Sequence, residues 1–252
     1  MAVDFKHPEW TMHLDDWIML RDVIRGNYEV KTIGRELYLP KPGGFAAQGT
    51  VGDKMYDAYL TRAQFPEIME PTLTGMVGLV HQHEPQIELP SQLEYVREKA
   101  TIDGLPLDVF HRRVTREILA TGRFGIMTDV PEKGGEPYMV GYPAESIINW
   151  NYERNLFVLD ENRLIQSPMD EFTLIPRPQW RVLRWDDAGG YSSQVYDKEY
   201  IAAAQMFPTP RGSGQGFDAL PFVIAGPRDL DVSIDNPPST SRRWSASFET
   251  SS

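Results

Sequence analysis

PLDVFHRRVTREILATGRFGIMTDVP, residues 106–131, changes its period in the middle, and that change decides the fold class. Leu107, Phe110, Val114 and Ile118 recur at helical spacing after Pro106, a residue suited to a first turn. Gly122 supplies the stop. From Phe124 the apolar residues alternate instead, which predicts a strand over residues 124–130. Residues 131–135 read as a turn and residues 138–141 as the returning strand, so a hairpin follows the helix.

N-terminal to this stretch the helical signal continues. YDAYLTRAQFPEIMEPTLTGMVGLV, residues 56–80, gives one helix with Tyr56, Tyr59, Leu60 and Ala63 on a face, and a second one after Pro66. Residues 93–102 predict a further short helix, closed by Asp103-Gly104. Trp10, Leu14, Trp17, Ile18 and Ile24 mark an amphipathic helix that stops at Gly26-Asn27, its tryptophans placed for packing. Residues 28–50 are a connector with a short extended piece at residues 37–40. C-terminal to residue 131 the pattern is β: residues 147–150, 156–159, 164–166, 180–185, 191–196 and 220–225 read as strands. Trp180, Val182 and Arg184 fall on one side, and Arg181, Leu183 and Trp185 on the other. Residues 208–216 read as a flexible loop. The fold class is therefore α+β, with a helical region at residues 1–122, a mostly antiparallel β-rich region at residues 123–238, and a Ser/Thr-rich, disordered tail at residues 239–252.

Composition narrows the function. A net charge of −11 argues against a protein that grips DNA, since phosphate binding needs a basic surface. With 41% hydrophobic residues the chain can bury a core, and without cysteine it has neither disulfides nor Cys-based metal sites. No apolar run reaches the roughly 20 residues of a membrane span. The N-terminus carries acids and a proline where a signal peptide has its apolar core, which predicts a soluble, non-exported protein.

Few residues invite chemistry. Gly75 and Gly78, three apart in a helix, each cost roughly 1 kcal/mol of propensity, and close approach of another backbone explains them best. Arg112, Arg113 and Arg116, with His111 beside them and Arg123 just beyond, form a basic face, which a solvated surface accounts for and which contact with DNA or an acidic neighbouring subunit would also explain. His81 and His83 with Glu84 suggest a metal, but residues two apart diverge on a helix, and a solvated helix end accounts for them. Asp186-Asp187 sits in a Gly-rich turn, and Lys41-Pro-Gly-Gly44 lacks the context of a phosphate loop. No residue is assigned to catalysis, a metal or a cofactor.

The ordered pieces together resemble the portal proteins of tailed phages and prophages. The likeness spans residues 17–238 and is carried by Tyr38-Leu-Pro40, Tyr59-Leu-Thr-Arg-Ala63, Thr74-Gly-Met-Val-Gly78, Gly122-Arg-Phe-Gly-Ile126, Tyr142-Pro-Ala-Glu-Ser-Ile-Ile-Asn-Trp150, Leu220-Pro-Phe222 and residues 229–238. The resemblance implies a ring of typically twelve copies at a capsid vertex, through which DNA passes without sequence-specific binding. It implies docking of the terminase large subunit, and contacts with capsid, head-completion and tail proteins. It places the protein in the virion, and in the host cytoplasm during assembly. It implies a non-enzymatic role and a wing-like position for the helical region. A portal subunit continues past Asn236-Pro-Pro238 with a long helix, whereas STSRRWSASFETSS stands here, so a truncation or frameshift near Pro238 is expected. A head–tail adaptor or other virion interaction protein is the alternative. A metal-dependent hydrolase ranks last, for want of a nucleophile motif and a ligand set.

Overall fold

The switch from helix to strand at Gly122 is visible in the backbone of the computed structural model, which describes residues 3–83, 85–131, 135–151, 155–167, 169–186, 190–197, 202–203 and 220–226. Gly122 takes φ +77, a left-handed conformation that a Cβ disfavours, and its N–H closes the preceding helix onto the Ile118 carbonyl at 2.8 Å. The described residues form five α-helices: α1 (Pro8–Arg25), α2 (Gly43–Ala46), α3 (Gly49–Arg62), α4 (Met69–Val80) and α5 (Leu107–Thr121). Ten strands are described, starting with β1 (Phe124–Asp129), β2 (Tyr138–Pro143), β3 (Ile147–Trp150), β4 (Leu156–Asp160) and β5 (Arg163–Ser167). They continue with β6 (Asp170–Arg177), β7 (Gln179–Asp186), β8 (Gly190–Asp197), β9 (Ala202–Ala203) and β10 (Phe222–Ala225). Every pairing is antiparallel. The α+β class holds.

By packing, the chain divides into two units. One holds the described residues of Met1–Leu14 and Gln86–Ser252, the other Asp15–Pro85, so the division falls inside α1. It differs from the place where helix gives way to strand, because α5 packs with the strands that follow it.

In the larger unit β1 is the centre of a three-stranded sheet ordered β10-β1-β2. The hairpin runs in register from Phe124↔Pro143 to Asp129↔Tyr138, and β10 adds on the other edge with Met127↔Phe222. Phe110 and Val114 of α5 pack with Ala100 and Phe124. Gly141 leaves the Phe124 ring its room: a Cβ there would lie 2.4 Å from the ring. The second sheet is ordered β3-β4-β7-β8-β9, with a core on each face of β3, β4 and β7, while Ser192 and Gln194 of β8 are exposed. Phe157, Leu159 and Leu183 join Met127, Tyr142, Ile147, Trp150 and Phe222 in one core. The alternate residues Ile148, Val158, Trp180 and Val182 form another, with Val3 and Trp10 against it. The expected facing of β7 is thus the observed one. Among the described residues the hairpin β5–β6 pairs only with itself, and all eight residues of β6 are exposed.

In the smaller unit Trp17, Val30, Tyr56, Leu60 and Leu73 are buried. Two expectations change here. Residues 37–40 are not extended: a π-helical turn (Glu29–Ile33) runs into a 3-10 turn (Arg35–Leu37), and Tyr38 folds in, its hydroxyl donating to Asp22 Oδ2 at 2.6 Å. Helix α3 begins at Gly49, ahead of its apolar face, because Gly52 lets the Phe45 carbonyl come close: a Cβ at Gly52 would lie 1.8 Å from that oxygen. In the larger unit, residues 93–102 hold a 3-10 helix (Ser91–Arg97) rather than an α-helix. The loop expected at residues 208–216 and the tail at residues 239–252 lie outside the described residues.

Candidate functional site

Gly75 and Gly78 lie on the exposed surface of α4, and a Cβ at either would meet nothing within 4 Å. No described residue of this chain makes the close approach expected of them. Around them Met69, Met76, Leu79 and Val80 are exposed, and Leu73 is the one buried residue of the helix. Arg112 and Arg113 are exposed and Arg116 is half-buried, so α5 carries cations opposite its apolar face. His81 is half-buried and His83 exposed, Glu84 lies outside the described residues, and among those described no group of three His, Asp or Glu is placed to hold a metal. Asp186 ends β7 opposite Gly190, and residues 187–189 also lie outside the described set.

Arg123 departs from the basic face. It follows the stop at Gly122, so its side chain leaves the helix surface and is buried, with 2% of it exposed. Its guanidinium lies 4.6 Å from the centre of the Trp150 ring, and Nη2 is 3.9 Å from Glu9 Oε2. Burial pushes its pKa down to about 10, with Glu9 opposing. On the same tryptophan the His7 ring stacks at 4.0 Å and 21°. The N-terminal segment is held by main chain as well: the His7 N–H donates to the Ile148 carbonyl at 2.8 Å, and Trp10 Nε1 to the Glu145 carbonyl at 2.9 Å.

A second polar cluster ties the two sheets together. Arg181 on β7 donates from Nε to Glu161 Oε1 at 2.7 Å and from Nη1 to Asp129 Oδ2 at 3.2 Å. Glu161 also accepts from the Tyr142 hydroxyl on β2 and from Gln179 Nε2 at 3.1 Å. The three ionic side chains are only 11–15% exposed. Burial pushes the Tyr142 phenol well above its ordinary value, and the Glu161 charge adds to that. Burial works against the Arg181 charge, but Glu161, with Asp129 beside it, outweighs it and holds the guanidinium protonated. The donors and carboxylates are turned on one another across the sheets, the arrangement of a fastener.

Neither cluster was singled out by sequence. Each joins segments far apart in the chain; Arg123 stands out only as part of a basic face, and the signal for the second cluster is an arginine at the inward-facing position of β7, beside Leu183. No described helix is long and apolar enough to cross a membrane. Compared with known proteins, the chain matches no family model, and no curated protein matches it significantly.

Proposed function

We propose that the chain is a structural subunit of a phage portal ring, the channel for DNA packaging and ejection at the capsid vertex. The ordered likeness to portal proteins suggests the family. The observation that carries the reading furthest is apolar surface left in water on two separate elements. On β6 and its turn Phe172 is 86% exposed and Met169 98%, and on α4 Leu79 is 72% exposed. Surfaces of this kind suit a chain that works against other chains. In a ring the contact is heterologous, one patch of each copy meeting a different patch of the next. The net charge of −11 suits a channel past which DNA slides, because like charge discourages adhesion. In this role the partners are further copies, twelve in the full-length ring, with the terminase large subunit, capsid proteins, and head-completion or tail proteins. The site of action is the virion, reached by assembly in the host cytoplasm. The role needs no catalytic residue and no cofactor.

Mass photometry of the purified chain tests the reading. A closed ring near twelve copies supports it. A monomer at every concentration that binds another virion protein overturns it in favour of the head–tail adaptor.

A further inference from the structure

We propose that His7 is a pH-sensitive clasp: as a neutral ring it caps α1 and lies on Trp150, and on protonation it releases the first turn of α1 from β3. The geometry of the cap carries this inference. The His7 carbonyl accepts the first helical hydrogen bond, from the Thr11 N–H at 3.1 Å, and Pro8 occupies the first helical position. His7 is therefore the N-cap, a place where an acceptor side chain satisfies an orphan N–H. Here the acceptor is the imidazole: the Glu9 N–H donates to Nδ1 at 3.2 Å. A ring protonated on both nitrogens has no acceptor to offer, so the cap requires the neutral form.

Protonation also places a positive charge where two features oppose it. The N-terminal end of a helix repels cations. Arg123, at the start of β1, already lies 4.6 Å from the centre of the same tryptophan ring. A lone imidazolium over Trp150 gains from the ring's negative face, but a second cation beside a buried guanidinium does not. The other charged groups about the site are Glu9 on the same turn, Lys6 next in the chain and stacked on Trp10, and Asp160, which faces Lys6. Burial, and then Arg123, hold the His7 pKa below its ordinary value.

The sign follows from that direction. A histidine with a depressed folded pKa contributes its full stability above about pH 6.5 and loses it as pH falls from there through the folded value. Glu9 runs the other way: burial raises its pKa, so its own titration favours the folded form as pH falls. A loss of docking in mild acid is thus assignable to the imidazole.

The test is hydrogen exchange on the whole chain at about pH 7.5 and about pH 5, expressed as protection factors so that intrinsic rates cancel. We expect residues 8–14 and 147–150 to lose about tenfold protection in acid, while α5 keeps its own. His7→Asn retains a cap acceptor that does not titrate, and Glu9→Gln removes the carboxylate. The first should abolish the pH dependence and the second should leave it. Protection that is flat with pH in the unaltered chain overturns the proposal, as does the same acid loss in His7→Asn or its disappearance in Glu9→Gln. If His7→Asn is poorly folded, the ring resonance of His7 decides. A midpoint below about 6.5 that tracks the exchange supports the clasp, and a midpoint at or above it overturns it.

Discussion

Strands β6 and β7 are neighbours in the chain, eight residues each and one residue apart, yet they meet opposite fates. Both contain apolar residues, with one arginine in β6 and two in β7. In β7 Trp180, Val182 and Leu183 are buried and Arg181 is tied to two carboxylates. In β6 Phe172, Leu174 and Ile175 face solvent. Apolar content therefore specifies that a segment can pair as a strand, not that this chain will cover it. Coverage depends on the neighbours: β7 lies between β4 and β8 and has a core on each of its own faces, while among the described residues β6 pairs with β5 alone. A two-stranded ribbon is marginal in water without a surface beneath it.

The comparison can be tested by deleting the same side chain on each side. Leu183→Ala should cost about 3–4 kcal/mol in urea unfolding, as a fully buried leucine does, whereas Leu174→Ala should stay within about 0.5 kcal/mol. If Leu174→Ala matches Leu183→Ala, the two strands do not differ as described. The polar position of β7 comes next. Arg181→Ala leaves Asp129 and Glu161 without their cation and should cost on the order of 3 kcal/mol in the same assay. A cost near zero would mean that the ionic cluster follows the packing of the sheets and does not hold them.

Helix α4 extends the contrast outside the sheets. Because a side chain at Gly75 meets nothing in this chain, Gly75→Leu should stabilise the monomer by about 0.5–1 kcal/mol through helix propensity. In mass photometry the same change should weaken assembly, if another copy approaches there. A destabilised monomer would show that α4 is covered after all. The last effect is absent at neutral pH and appears only at high pH. The Tyr142 phenol is held protonated in the fold, so its contribution is complete below about pH 10 and is lost as pH rises above that. Tyr142→Phe should remove part of the alkaline slope, with the rest left from Tyr191, Tyr38, Tyr56 and Tyr95, whose phenols burial also raises. An unchanged slope would argue that Tyr142 ionises freely.

What was legible in the sequence was local. Helix α5 announces itself through four apolar residues at helical spacing and a glycine stop, and the β1–β2 and β7–β8 hairpins through alternation broken by turn residues. The facing of β7 followed from a period of two. Where glycines stand in for side chains the signal is weak: Gly49 and Gly52 give no apolar pattern, so the connector predicted at residues 28–50 overlaps the start of α3. Arg123 joins the expected basic face because charge ordinarily means exposure, and only the position of Trp150 in space reverses that. The ionic fastener joins Asp129 to Arg181 across 52 positions, beyond the reach of any local pattern.

The central place of β1 in its sheet has a further consequence, in time. Its partner β2 follows within a few residues, but its other edge is closed by β10, about a hundred residues later. At roughly 5–20 residues per second, a ribosome leaves that edge open for roughly 5–20 s after β1 has emerged. Throughout that interval the nascent chain offers a row of unpaired backbone groups to its neighbours on the polysome, a demand on chaperones that the finished molecule no longer makes.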